Sequence, residues 1–264
     1  MKSIKKALAA LLLGASALSL AACGASDAEP TPDPHEGMIY VNTGAGEEWV
    51  DEAEGVPVSQ LSESDFETGE DGIPVYTGDV YETRLGIDVS FYQGDIDWQA
   101  VADSGVKFAM IRCGYRGSSE GELFVDEKFE QNMQGAIDAG LDVGVYFFSQ
   151  SMGAIEAAEE ALFVLDLIKD YDISMPLAFD WEPLEDSRAE DINDEELTAS
   201  ALVFCEMIKD AGYTPCVYFY RYIAYHDYDL SRLADFLFWI GAPGSAPDFY
   251  YEAAIWQFSF TSRI

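Results

Sequence analysis

The chain is poor in positive charge, in histidine and in cysteine, and each shortage removes a class of function. Its 264 residues carry 14 Lys and Arg against 49 Asp and Glu, a formal net charge of −35. Nucleic acid is excluded as a partner, because phosphate contacts need Lys and Arg. Any anionic surface repels such a chain at long range. Only two histidines occur, His35 and His226. A zinc site built on several imidazoles is excluded by that count, and a Ser-His triad nearly so. No glycine-rich phosphate loop links a strand to a helix, which argues against an open nucleotide-binding sheet. Of the four cysteines, setting Cys23 aside leaves Cys113, Cys205 and Cys216. Three is odd, so at least one thiol is free. A disulfide between Cys205 and Cys216 is left open, since its geometry is not readable. The acids around Asp95, Asp97 and 185–196 do not follow a calcium-loop spacing and read as solvated loops. No metal or cofactor is expected.

What is present is apolar and aromatic. Hydrophobic residues make up 49% of the chain, with 15 Tyr, 16 Phe and 5 Trp. That is material for a full core, and aromatic faces also line sugar clefts. Residues 1–22 read as an export signal: Lys2, Lys5 and Lys6, then an apolar run over 7–20 too short to span a membrane comfortably. Leu20-Ala21-Ala22-Cys23-Gly24 resembles a bacterial lipoprotein cleavage box. That resemblance implies lipidation of Cys23 and a membrane-anchored protein facing the cell wall. Residues 23–80 hold Pro30, Pro32, Pro34, Pro57 and Pro74, many acids, and no Lys or Arg. They read as a disordered, self-repelling tether, although the short apolar patch Met38-Ile39-Tyr40-Val41 fits local pairing.

Residues 81–264 read as one folded domain. Strands are expected over 85–90, 106–114, 141–148, 175–181, 215–220, 237–240 and 253–257. Helices alternate with them over 98–103, 126–139, 153–169 and 194–211, where apolar residues recur at helical spacing, as at Phe129, Met133, Ala136 and Ile137. Alternating strand and helix predicts an α/β fold with a parallel sheet and helices outside. Seven or so strands predict an irregular (β/α) TIM-like barrel, with an open doubly wound sheet as the alternative. In such barrels working residues sit at the carboxyl ends of strands. Asp88, Tyr146, Asp180, Glu182, Tyr218, Trp239 and Gln257 all fall there.

The acid pair is the sharpest signal. On a strand, Asp180 and Glu182 face one side about 6.6 Å apart, with Trp181 opposite. Like charges that close raise at least one pKa. A proton donor beside an anion is what glycosidic cleavage needs. The bland reading is an exposed strand end in an acidic protein, and the neighbouring residues argue against it.

Those neighbours carry a family resemblance. Gly86-Ile87-Asp88-Val89-Ser90, then Tyr92-Gln93-Gly94 and Ile96-Asp97-Trp98, resemble the opening of glycoside hydrolase family 25 lysozymes. Phe129-Glu130-Gln131-Asn132, Gly144-Val145-Tyr146-Phe147, Phe179-Asp180-Trp181-Glu182 and Ile255-Trp256-Gln257 follow in the family's order. The resemblance implies a muramidase that cleaves the β-1,4 bond between N-acetylmuramic acid and N-acetylglucosamine in peptidoglycan glycan strands. It makes Glu182 the general acid, Asp180 its ionised partner and Asp88 a third acid. It places Tyr146 beside the sugar, and the substrate's own N-acetyl group as a candidate nucleophile. Tyr218, Trp239 and Gln257 are further candidates for substrate contact. The family pattern continues to one more strand with another aspartate, whereas Ile264 stands where that strand would start. The barrel is therefore expected to lack its last strand, with impaired activity and stability. Two other readings remain: a chitinase-like barrel glycosidase and a non-catalytic wall-binding lipoprotein. Barrel chitinases usually carry more aspartates ahead of the acid pair than residues 174–178 supply.

Overall fold

Two antiparallel hairpins precede the main sheet. The first pairs β1 (Met38–Asn42) with β2 (Glu47–Asp51), the second β3 (Phe66–Thr68) with β4 (Pro74–Tyr76). They belong to a computed structural model that describes residues 33–69 and 72–261. Chain contacts divide the protein into Met1–Glu36 and Gly37–Ile264, and the second unit carries every element discussed.

The hairpins correct the expectation of a disordered tether for the described part of 23–80; residues 23–32 of that stretch lie outside the described residues. Apolar residues at period two put Ile39, Val41 and Val50 on one buried face, while Glu47 and Asp51 stay in water. The segment is also tied to the rest of its unit. The Ala53 N–H donates to Tyr251 Oη at 2.6 Å and the Ser59 N–H to the Tyr250 carbonyl at 2.9 Å. Val58 bridges Tyr251, and the Phe66 ring lies 5.5 Å from that of Trp256. The expected signal over 1–22 and the lipidated Cys23 lie outside the described residues. Among the described residues no helix is long and apolar enough to cross a membrane.

The main body alternates strand and helix: β5 (Gly86–Val89), α1 (Trp98–Asp103), β6 (Phe108–Arg116), β7 (Leu123–Val125), α2 (Phe129–Asp138), β8 (Asp142–Ser149), α3 (Ala154–Ile168), β9 (Leu177–Trp181), α4 (Asp194–Asp210), β10 (Pro215–Tyr220), α5 (Arg221–His226), β11 (Leu237–Gly241) and β12 (Ile255–Gln257). Seven strands form a parallel array in the order β5-β6-β8-β9-β10-β11-β12, with β7 antiparallel on β6. β5 and β12 are its edges, and no backbone pairing joins them among the described residues. Yet Gln257 on β12 donates from Nε2 to Asp88 Oδ2 on β5 at 3.0 Å. The sheet curls until its two edges face each other. This is a mixed α/β fold built on a curled parallel half-barrel sheet.

The curl sorts apolar side chains into two layers. The larger lies outside the sheet, under the helices. There α2 buries Phe129, Met133 and Ala136, while Ile137 stays partly exposed. α4 buries Leu197, Ala201, Phe204 and Ile208 at the same spacing. The smaller layer is inside the curl: Met110, Ala178, Cys216, Tyr218 and Trp239. Central strands β6, β9 and β10 are buried on both faces, as a parallel sheet demands. Cys113, Cys205 and Cys216 are all buried free thiols, so the pairing left open between Cys205 and Cys216 is not made. The Cys205 Sγ instead points to the Cys216 carbonyl at 3.7 Å.

One glycine is dictated by packing. A Cβ on Gly144, in β8, would sit 2.6 Å from the Pro176 carbonyl oxygen and 2.8 Å from Met110 Sδ. Backbone cannot step aside as a flexible side chain can. Gly144→Ala is expected to lower stability by about 2 kcal/mol through overpacking, read by urea denaturation. An unchanged midpoint would mean that the Pro176 segment gives way freely.

Candidate active site

The inner face of the curl gathers three carboxylates at the carboxyl ends of its strands. Asp88 lies on β5, Asp180 near the end of β9, and Glu182 directly after β9. In register, Asp180 pairs with Phe148 of β8 on one side and Tyr218 of β10 on the other. Trp239 of β11 pairs with Tyr218. Tyr218 Oη donates to Gln257 Oε1 at 2.7 Å, which turns the Gln257 amide so that its Nε2 serves Asp88. Gly241 makes room for this link: a Cβ there would meet Tyr218 Oη at 2.8 Å.

Burial dominates the electrostatics. Asp180 is 4% exposed, and its Oδ1 has no hydrogen-bond partner among the described residues. Burial first, then repulsion by Glu182 and Asp88, push its carboxyl well above the usual range, and Arg112 only partly offsets this. Burial and the charge of Asp88 raise Glu182 to about 7. Asp88 is also raised by burial, against the pull of the Gln257 hydrogen bond. The sequence reading had Asp180 ionised beside a protonated Glu182. Burial favours the proton on Asp180 at least as strongly. Asp88, the one acid of the three with a side-chain donor, is the best placed to hold the anion.

Tyr146 sits beside these acids on β8. Burial, together with Asp180 and Asp88, raises its pKa well above 10, and Arg112 and Ser90 only partly offset this. It remains a neutral phenol that can donate. Trp239, expected at the sugar surface, is a correction. It is 3% exposed and packs beneath the site, edge-on to Tyr218 at 4.8 Å and to Tyr146 at 5.8 Å. It supports the floor and does not form it. Arg112 makes a structural ion pair with Asp126 at 2.7 Å and lies over the rings of Phe91, Tyr92 and Tyr115 at 5.0–5.4 Å.

Two grooves flank the segment from Glu182 to Leu184. One, of about 510 Å³, is lined by Glu182, Tyr218, Gln257, Tyr220 and Phe260 among others. The other, of about 360 Å³, is lined by Leu184, Phe148, Tyr115, Phe124 and the 117–122 loop. From sequence the alternation of Tyr218, Tyr220 and Tyr222 reads mainly as core, with Tyr218 alone for the cleft, yet all three line the larger groove; Gly241 had no sequence signal.

The model of the family "Glycosyl hydrolases family 25" matches residues 87–264, every strand from β6 on and the acids of β5 and β9. The chain belongs to that family. This family 25 chain is 27% identical over 180 residues to the autolytic lysozyme of Clostridium acetobutylicum, covering 68% of its own length and 51% of the relative. It thus spans about half of that curated relative. A family 25 glycosyl hydrolase structure from Bacillus anthracis is similar at 26% identity and TM-score 0.56, covering 69% of this chain and 81% of that one. The modular autolysin LytC of Streptococcus pneumoniae shares the fold at 23% identity and TM-score 0.60, covering 86% and 54%.

Proposed function

We propose that the chain is a peptidoglycan hydrolase, a muramidase cleaving the β-1,4 bond between N-acetylmuramic acid and N-acetylglucosamine. The carrying observation is that Glu182 lines an open groove with its pKa raised to about 7, next to two further carboxylates. Family membership and the lysozyme name of the clostridial relative support the same reading. Glu182 is the general acid, and a pKa near the working pH is what that role needs. It gives its proton to the leaving glycosidic oxygen. Positive charge then develops at the anomeric carbon, where Asp88, aligned by Gln257, supplies the anion. Asp180 and Tyr146, both neutral, orient the sugar by donating hydrogen bonds. Water or the substrate's acetamido oxygen completes the displacement, and ionised Glu182 takes a proton back. Tyr218 and Gln257 line the sugar path. The half-barrel is read as the family's irregular (β/α) barrel.

The expected site of action is the cell wall. The pattern over 1–23 supports export and a lipid anchor on Cys23, which would hold the enzyme at the membrane facing peptidoglycan.

The test is release of reducing ends from purified peptidoglycan, compared with N-acetylglucosamine oligomers. Peptidoglycan is expected to be the better substrate. kcat/KM should fall about tenfold per pH unit above about 7, as free Glu182 loses its proton. A flat profile from pH 6 to 9 would remove Glu182 from the acid role, and faster cleavage of the oligomers would favour a chitinase.

A further inference from the structure

The turn between β1 and β2 reaches the larger groove. Thr43 and Gly44 line it together with Glu182 and Gln257. The family match begins only at residue 87, so this wall is an addition to the matched segment. The turn is held firmly. The buried Thr43 hydroxyl bonds to Glu48 Oε1 at 3.0 Å, and Asn42 Nδ2 donates to Asp248 Oδ2 at 2.6 Å. Glu48 in turn meets His226 Nε2 at 3.2 Å, fixing the hairpin to α5.

Arg221 opens α5 directly after β10 and is the only cation among the described residues lining this groove. Its Nη1 donates to the same Asp248 oxygen at 2.7 Å. The opposite edge of the guanidinium lies under Gly44, where a Cβ would be 3.5 Å from Nη2 and 3.6 Å from Nε. Asp248 therefore anchors Nη1 and Gly44 packs against the Nε–Nη2 edge, while the side chain keeps 15% exposure and lines the groove, so a carboxylate there meets a guanidinium already fixed in position. The exposed rings of Tyr222 and Phe260 stand in the same wall.

We propose that Arg221, clamped beneath the β1–β2 turn, is a subsite for a carboxylate of the substrate, carried by the peptide stem of the muramoyl residue beside the cleaved bond. The proposal rests on the muramidase reading and deepens it. A chain of net charge −35 with three acids in its groove repels an anionic substrate. A guanidinium partly shielded from solvent offsets that repulsion where salt screens least.

The probe is a synthetic N-acetylglucosaminyl-N-acetylmuramoyl-L-alanyl-D-isoglutamine, compared with the same compound capped as its carboxamide, with binding measured by calorimetry. The wild type is expected to prefer the carboxylate about tenfold. Arg221→Gln should erase that preference while binding the amide as the wild type does, and Arg221→Lys should restore part of it. Equal weakening of both ligands by Arg221→Gln would mean that only the turn collapsed, and would overturn the proposal. So would a surviving preference, or no binding of either ligand by the wild type. Carboxylate preference in a protein that releases no reducing ends from peptidoglycan would sink the muramidase reading and leave the subsite standing.

Discussion

Glu182→Gln is expected to cut reducing-end release by about 10²–10⁴ and to make the protein more stable at pH 8. The first effect follows from removing the proton donor, which general acid catalysis values at about 10²–10⁴. The second follows from the same burial that tunes the acid. The Glu182 pKa rises from 4.5 to about 7 on folding. The folded state therefore binds the proton more tightly than the unfolded chain, and this stability is fully present below about pH 4.5. It is lost as the pH climbs through about 7, where the ionised side chain costs about 3 kcal/mol. Glutamine never takes on that charge. The variant should melt about 5–10 °C above the wild type at pH 8 and close to it at pH 4.5. Reducing-end assays and thermal unfolding at the two pH values check both halves. Residual activity above a tenth of wild type would exclude Glu182 as the acid.

The second large effect is expected at Arg116, which borders the smaller groove. Arg116, on the helix side of β6, is buried against α3. Its Nε meets Glu160 Oε1 at 2.7 Å, and its Nη1 and Nη2 donate to the carbonyls of Gly121 and Glu156 at 2.7 and 2.8 Å. The other Glu160 oxygen accepts from Ser149 Oγ at 2.7 Å. Burial already raises Glu160 to about 7, with Ser149 and Arg116 holding it down. Arg116→Met strands a buried carboxylate, a loss of about 3–5 kcal/mol at pH 8. Below the raised pKa the stranded Glu160 takes a proton instead, so the loss should shrink markedly at pH 5. The double variant Arg116→Met with Glu160→Met should recover most of the stability, because no unpaired charge remains. Urea midpoints at both pH values decide it. An equal loss at pH 5 and pH 8 would mean that packing, not charge, accounts for the cost.

The positions of Arg112 and Arg116 also mark how far the sequence could be read. Strand parity alone puts both on one side of β6, four residues apart. The β6–β8 register shifts between Arg112 and Gly114, with Cys113 as the extra residue. Below the bulge Arg112 pairs with Tyr146 on the site side. Above it Tyr115 pairs with Phe148, and Arg116 is turned outward to α3. A bulge leaves no local signature here, so neither ion pair was legible. Strands β5, β8, β9 and β10 were legible, because each is a short apolar run bounded by turns and followed by helical spacing. The Asp180–Glu182 pair was legible from period two. The state of its protons was not, since that depends on how deeply each carboxyl is buried. The β1–β2 hairpin was masked by its acidic composition, which sits on the solvent face while Ile39, Val41 and Val50 form the other. The role of Trp239 was misread because sequence places it at a strand end but cannot say whether Tyr146 and Tyr218 cover it.

The division of apolar side chains between the outer and inner faces of the sheet bears on how this scaffold can change. Strand residues on the helix side, such as Phe147, Phe179 and Phe219, together with helix residues such as Phe204 of α4, account for most of the largest fully buried side chains, while the inner layer is thin. Cohesion and chemistry thus occupy opposite sides of the same strands, and alternate residues answer to different demands. An exchange at Tyr220, which lines the groove, can reshape what is accepted with little loss of fold, whereas a change at Phe219 beside it strikes the packing that keeps the chain together. The protein is in that sense tolerant to retuning and brittle to repair, with the boundary between the two behaviours running residue by residue along each strand.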